Sequence, residues 1–341
     1  MDSIVNAGKP EGGHEADDVR NSEIVLKRYT HEMKREWDKF VADSRNGTFL
    51  FHRDYMDYHG DRFRDHSLMA YKGNSLMALL PANEVSEENG KKLLQSHGGL
   101  TYGGWICGAR HPDANEMLRI FGLLVDYGKE NGFSEIDYKP IPWIYSRRPS
   151  QEDLYALFRY GAKLTESNIS AVIDLADNPG FNTRQRRYLK RARRVTDVEM
   201  VEKDASAEFH KLLTECLQER YGATPVHTAD ELQLLKSRFP AQIRIFMLRD
   251  EEGWQAGVCV FDCGQTVHCQ YICSTLRARE EGLLTRLFSY LIEDVFYDRR
   301  YFDFGTSNEQ HGLVLNASLY RQKHGLGGTG ILYPRYTLTI L

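Results

Sequence analysis

The chain has 341 residues, 41% of them hydrophobic and 27% charged, with a formal net charge of -4. That is too long for one typical core and too apolar for a disordered chain, so two globular domains are expected, and the near-neutral balance excludes a global pull toward nucleic acid or anionic membrane while leaving room for local patches. No stretch approaches the ~20 apolar residues of a spanning helix, and residues 1–22 lack the apolar run of a secretory signal, which predicts a cytoplasmic protein without a membrane span.

Residues 1–22 are polar and carry Gly12-Gly13, which reads as a flexible leader. A strand is expected over 24–29 and a helix over 31–44, where Trp37, Phe40 and Val41 have the three-to-four spacing of a buried stripe. A short aromatic helix over 49–59 follows, then a hairpin of strands 67–72 and 75–83 about Gly73-Asn74. The segment SHGGLTYGGW puts four glycines into what reads as a strand over 95–105. Glycine inside a strand marks a bulge or the close approach of a ligand, so His97, Tyr102 and Trp105 are candidate substrate contacts, with an edge bulge as the structural alternative. A helix over 115–131 with Leu118, Phe121, Leu124 and Val125 on one face, a strand over 134–139, a helix over 151–160 and a strand over 171–175 complete the first half. After Pro140 and Pro142, Trp143 and Tyr145 either line the same cleft or cover the core.

Asp177-Asn178-Pro179-Gly180 is a concentrated turn signal. It divides the chain into domains at 23–178 and 179–341. The second half starts with RQRRYLKRARR, a helix with seven Lys or Arg in the eleven positions 184–194. Arg184, Arg187, Lys190 and Arg191 are phosphate candidates there, weighed equally against a solvated helix paired with Glu199 and Glu202. Sequence-specific DNA reading has no supporting motif. Next come a strand over 199–202, helices over 207–221 and 229–239, hairpin strands over 244–248, 255–262 and 266–274, a helix over 282–297, a strand over 301–304, a helix over 314–323 and a strand over 335–340. The class is α/β (mixed α+β), and the order of elements suggests that the second half repeats the plan of the first.

Cys259, Cys263, Cys269 and Cys273 crowd into fifteen residues. They flank a Gly264-Gln265-Thr266 turn, and their three-residue gaps differ from the tight two-residue zinc knuckle, so reduced structural thiols are expected and no metal is assigned.

The run YFDFGTSNEQHGL followed by a helix ending YRQKHG resembles the closing segment of Fem-type and related acyltransferases, the tandem-GNAT group. The pattern there is an Asp-Phe-Gly strand, a small polar turn, a Gly-Leu step, and an aromatic-basic pair, here Tyr320-Arg321, before a glycine, here Gly325. The basic helix and SHGGLTYGGW are similar to further segments of the group, so the resemblance spans roughly 23–341. It implies two tandem GNAT-like domains with mixed sheets, and an N-acyl or aminoacyl transferase acting on the amine of a cell-envelope precursor or nucleotide sugar. The substrate would be a small molecule or nucleotide-linked, and acyl-CoA and aminoacyl-tRNA are both open as donor. Two departures bear on the donor. No pair of long charged helices of the kind found in Fem ligases that bind tRNA is evident, and STLRAREEGLL keeps Arg279 and Gly282 of a pyrophosphate-binding turn but places Glu280 and Glu281 at the expected helix start, where they would repel phosphate.

Asp303 alternates with Phe302 and Phe304, which turns its carboxylate away from both rings and toward polar space at the strand end. It is a candidate base or amine anchor, unless it only caps the following turn. Ser307 and Asn308 are candidate oxyanion donors. His268 and Gln270 share the more polar face of their strand and are further candidates, and Arg321 is a second phosphate or carboxylate contact. An acyl-CoA-dependent N-acetyltransferase of a small amine and a non-catalytic GNAT-derived binding module remain as alternatives.

Overall fold

The computed structural model describes residues 23–87, 90–202 and 206–340; the expected leader lies outside them. Alternating apolar residues build two sheets. The smaller, with order Ile24–Arg28, Leu68–Lys72, Ser75–Leu80, Ile106–Cys107, is antiparallel throughout. The larger has eleven strands and runs across both halves of the chain. From one edge its order is Glu199–Glu202, Ile243–Asp250, Gly253–Asp262, Thr266–Ser274, Tyr301–Thr306, Lys163–Asp174, Thr329–Thr339, Glu135–Tyr138, Lys92–Gln95, Asn83–Ser86, Arg64–Asp65.

Each half contains one parallel pair, and each pair is bridged by a helix, as a parallel connection requires. In the first half Lys92–Gln95 lies parallel to Glu135–Tyr138, with the helix Ala114–Glu130 between them in sequence. In the second half Thr266–Ser274 lies parallel to Tyr301–Thr306, with Leu283–Tyr290 between them. The architecture is the mixed, duplicated α/β fold that the order of elements suggested.

Ala114–Glu130 starts at a reciprocal capping box of Asp113 and Glu116 and buries Met117, Ile120, Phe121 and Leu124. This face is rotated slightly from the expected one, leaving Leu118 and Val125 half-buried. The helix expected over 282–297 is broken at both ends: Gly282 is left-handed, Leu283–Tyr290 is α-helical, and Leu291–Val295 is a π turn. The aromatic stretch 49–59 is one α turn, Arg53–Met56, between two 3-10 turns.

Two strands are longer than their apolar patterns. Lys163–Asp174 and Thr329–Thr339 pair antiparallel over much of their length, and the chain's final strand also pairs with Glu135–Tyr138. The C-terminal strand thus lies between two strands of the first half. The expected glycine-rich strand is a correction: pairing ends at Gln95 and resumes at Ile106, and the intervening segment is a loop. His97 and Gly104 have φ of 37° and 77°, and a Cβ on Gly103 would lie 2.3 Å from the Ser96 carbonyl oxygen. The glycines serve a folded-back chain, which cannot keep a ladder.

Candidate active site

Thr266–Ser274 and Tyr301–Thr306 pair at only three positions, Thr266 with Tyr301, Val267 with Phe302 and His268 with Asp303. Beyond the third rung they separate. Gly305 adopts a φ of 77° on one strand, and on the other the partners shift from Cys259–Tyr271 to Val260–Cys269, leaving Gln270 as the extra residue of a bulge. A cleft of about 610 Å³ opens at the fork, with His268, Cys269, Gln270, Gly305, Ser307 and Lys323 among its lining residues. The bulge also resets the expected alternation, so that Val267, Cys269 and Ile272 pack in one core while Tyr271 and Cys273 pack in another. Cys259 and Cys263 join the latter. Among the described residues no group of three His, Cys, Asp or Glu is placed to hold a metal.

Asp303 does face away from Phe302 and Phe304, but it is wholly buried beneath the cleft instead of standing in open polar space. Its Oδ2 accepts hydrogen bonds from His268 Nδ1 at 2.8 Å, the Tyr145 hydroxyl at 2.6 Å and the Tyr333 hydroxyl at 2.5 Å. Its Oδ1 accepts from the Ser170 hydroxyl and from the Gly305 N–H at 2.9 Å. The turn-capping bond to Gly305 is present, and the same carboxylate also joins four side-chain donors. Burial works to raise its pKa, yet the His268 ring and the hydroxyl donors hold it well below the usual carboxylate range. An ionised carboxylate can only accept, so the facing Nδ1 of His268 carries a proton and Nε2 is left as the basic nitrogen of the neutral ring.

Lys323, on the helix Ala317–Gly325, reaches the cleft from the other side. Its ammonium donates to the carbonyls of Gly305 at 2.9 Å and Thr306 at 2.7 Å, which uses two of its three N–H bonds. Burial pulls its pKa down to about 8, against the charge of Asp303. Ser307 also lines the cleft, and its buried hydroxyl has no hydrogen-bond partner. Such a group is costly unless something else satisfies it. Asn308 lines the cleft too, but its amide is already used, accepting from Ile169 N–H at 2.7 Å and donating to the Gly312 carbonyl at 3.3 Å.

A second cavity of about 350 Å³ continues from this cleft and shares Arg220, Arg279, Asn316 and Gln322 with it. Arg184 and Arg321 complete a lining that contains four arginines and, among the described residues, no carboxylate. Glu280 and Glu281 do not stand at the helix start that the reading of STLRAREEGLL gave them. They end the short helix Leu276–Glu281 instead of starting the next one, and neither lines the cavity. Gly282 makes this possible: its φ is 75°, and a Cβ would come within 2.5 Å of the Tyr188 carbonyl oxygen. Of the basic helix Thr183–Ala192, only Arg184 among the four phosphate candidates lines the cavity. Arg187 and Lys190 are exposed elsewhere, and Arg191 donates to the Glu280 carbonyl at 2.7 Å.

The first-half candidates separate. Tyr102 is buried against Tyr145, with ring centroids 4.5 Å apart, and its hydroxyl donates to Thr48 Oγ1 at 3.3 Å. It also lines a smaller chamber beside the main cleft. His97 is buried and stacked on His59 at 5.5 Å, and Trp105 is in the apolar core, so neither lines the main cleft. Trp143 is exposed and packs edge-on against Tyr301. Sequence reasoning did not single out Lys323, although it stands in the quoted YRQKHG, nor Ser170 and Tyr333, whose hydroxyls carry no local signal of a shared carboxylate 133 and 30 positions away.

Residues 181–311 match the family model described as an acetyltransferase (GNAT) domain. No curated protein matches the chain. Among solved structures, the crystal structure of FemX superposes with a TM-score of 0.67 at 11% identity, covering 92% of this chain and 97% of that one. L-PGS from Bacillus licheniformis gives a TM-score of 0.56 at 15% identity with 92% of each chain covered. A tandem GNAT protein from the clavulanic acid biosynthesis pathway gives 0.51 at 9% identity, covering 94% and 99%. The fold is that of these FemX and tandem GNAT structures, and the match to the acetyltransferase (GNAT) domain lies in the second half.

Proposed function

We propose that the chain is an N-acyl or aminoacyl transferase that moves an acyl group from a phosphate-bearing donor to an amine. The single observation that carries this reading is the His268–Asp303 pair at the fork of the parallel strands, with Lys323 and the unsatisfied Ser307 hydroxyl lining the same cleft. Acyl transfer to an amine needs a base for the amine proton and donors for the oxyanion, and this cleft has both.

In the reaction the amine nitrogen attacks the acyl carbonyl carbon and a C–N bond forms. His268 Nε2 takes the proton the nitrogen loses, while Asp303 holds the ring and stabilises its charged form through Nδ1. The carbonyl oxygen gains negative charge, which in this scheme the remaining Lys323 N–H and the Ser307 hydroxyl stabilise. The bond to the donor's sulfur or ester oxygen then breaks, and the proton returns from His268 to that leaving group. His268 and Lys323 are the catalytic residues of this scheme, and Asp303 is a positioning residue.

The arginine-lined cavity supports a donor with phosphates, which acyl-CoA and aminoacyl-tRNA share. An amine on a cell-envelope precursor or nucleotide sugar is supported by the fold likeness to FemX and L-PGS. A thermal-shift and transfer assay with acetyl-CoA, UDP-sugars and aminoacyl-tRNA tests the proposal. Stabilisation by one donor and label transfer that is lost in His268→Ala is expected. If none of these ligands raises the melting temperature or donates its acyl group, the chain is a binding module on a GNAT fold and the transferase reading falls.

A further inference from the structure

A chamber of about 170 Å³ opens beside the main cleft and shares Thr101, Thr306 and Tyr333 with it. Tyr333 is a wall common to both: its hydroxyl donates to Asp303, so the chamber adjoins the base pair at the strand fork. It lies beyond the main cleft from the arginine-lined cavity, with which it has no lining residue in common. Anion end, transfer centre and side chamber thus form three compartments joined in that order.

The chamber is built around Lys139, with Arg335, Glu166 and Asn168. Glu166 is already engaged, accepting from Asn168 Nδ2 at 2.6 Å and lying 3.5 Å from Arg335 Nη1. Arg335 in turn grips Asp137 with two N–H donors, and Gln95 holds the same carboxylate at 2.6 Å. Lys139 differs from these groups. Its ammonium donates to the Leu100 carbonyl at 2.7 Å, and no carboxylate among the described residues comes within 4.0 Å of it. Burial pulls its pKa down to about 8, helped by Arg335 and opposed by Asp137 and Glu166. A half-buried cation with two N–H bonds unused and no direct ion pair faces a small cavity, which is an arrangement that favours an anionic ligand.

We infer that this chamber is the acceptor subsite for a carboxylate, so that the acceptor is a small amino acid or the carboxyl end of a short peptide whose amine reaches His268. The inference rests on the transferase reading for the word acceptor, and on the chamber alone for the carboxylate. Three features select this ligand class. The volume is below the ~300 Å³ of ordinary ligand pockets, which suits a terminal group and excludes a nucleotide. Arg335 is held by Asp137 and Glu166, so Lys139 is the lining cation whose N–H donors are free for one carboxylate. Glu166, whose carboxylate lines the chamber, opposes a phosphate dianion more strongly than a single carboxylate charge.

The test is carboxylate binding by the full chain, read by isothermal calorimetry and by the NMR titration of Lys139, with acetate, glycylglycine, inorganic phosphate and ethylamine as probes. Acetate and glycylglycine are expected to raise the Lys139 titration midpoint of the native protein more than phosphate or ethylamine does, because the arginine-lined cavity takes phosphate without moving that midpoint. Lys139→Gln keeps a donor for Leu100 while removing the charge, and it should lose about tenfold or more in carboxylate affinity, as expected for a charge-assisted hydrogen bond. Lys139→Arg should retain part of it, which guards against a folding defect in the glutamine variant. Equal carboxylate affinity in native and Lys139→Gln proteins, or a larger shift of the Lys139 midpoint with phosphate than with acetate, overturns the assignment. The two readings fail separately: His268→Ala should keep carboxylate binding, and acyl transfer can be demonstrated even if Lys139 proves indifferent to carboxylates.

Discussion

His268 and Asp303 are the last facing pair of the two parallel strands, with Nδ1 of the ring 2.8 Å from Oδ2 of the carboxylate. The pair stands where the sheet forks, so one residue lines the cleft while the other is sealed beneath it. Strand splay gives the ligand space, and the last rung fixes the histidine beside that space.

Asp303→Asn should therefore impair chemistry much more than binding. An amide can present its N–H to Nδ1, which selects the wrong tautomer and leaves Nε2 protonated. A fall in kcat of about 10²–10⁴-fold, the range for losing a general base, with little change in donor KM is expected. Steady-state kinetics across pH 6 to 9 would check it, and an unchanged pH profile would remove Asp303 from the mechanism.

Lys323→Met should remove the ammonium beside Gly305 and Thr306 while keeping much of the side-chain volume. The native ammonium loses charge as pH rises through about 8, so its contribution to the rate should decline above that value. Methionine should lower kcat by about 10²-fold or more, in line with loss of an oxyanion donor, and should remove the decline near pH 8. Full activity with native pH dependence would leave Lys323 as a clasp for the Gly305 and Thr306 carbonyls only.

The arginine-lined cavity predicts a charge-dependent donor KM. Arg321→Ala and Arg184→Ala should each weaken donor binding by roughly tenfold, the scale of one charge-assisted contact, and should make binding less sensitive to salt. Arg187→Ala, outside the cavity, should change neither quantity. Fluorescence anisotropy with a labelled donor at 50 and 300 mM salt would distinguish these outcomes.

Gly282→Ala should destabilise the chain. Its left-handed backbone lies against the Tyr188 carbonyl, and an added Cβ would meet that oxygen at 2.5 Å. A loss of about 1–3 kcal/mol is the scale for such strain, measurable by urea denaturation. The same substitution at Gly180, which has open space around it, should cost less because only its φ of 72° is affected.

Stability should fall on mild acidification. His59, His97 and His227 cluster where the two halves meet, with His59 stacked on His97 and Tyr58 stacked on His227. Burial lowers the pKa of all three, to about 4 for His227, while Arg62 also disfavours its charged form and Glu231 favours it. These groups are neutral when folded and bind protons more readily when unfolded. Their stabilising contribution is complete above the unfolded value of ~6.5 and is lost as pH falls toward about 4. Urea midpoints should drop between pH 7 and 5, and His227→Gln should flatten that slope.

The sequence by itself determined much of the local structure. The apolar alternation around Asp303, the turns at Gly73 and Gly264, the basic helix and most of the longer strands and helices were legible, because hydrophobic spacing and left-handed glycines act within a few residues, whereas the short strands Arg64–Asp65 and Lys92–Gln95 were not. Glycine content alone misled at Ser96–Trp105, where close backbone approach serves a loop and not a strand. Only the tertiary structure decided which side chains meet. Asp303 gathers Tyr145, Ser170, His268 and Tyr333 from four separate segments, and the Gln270 bulge reverses the faces of its strand. The final strand enters the sheet of the first half. Those outcomes depend on register and long-range pairing, which no local pattern encodes, because each is set by how whole elements pack together.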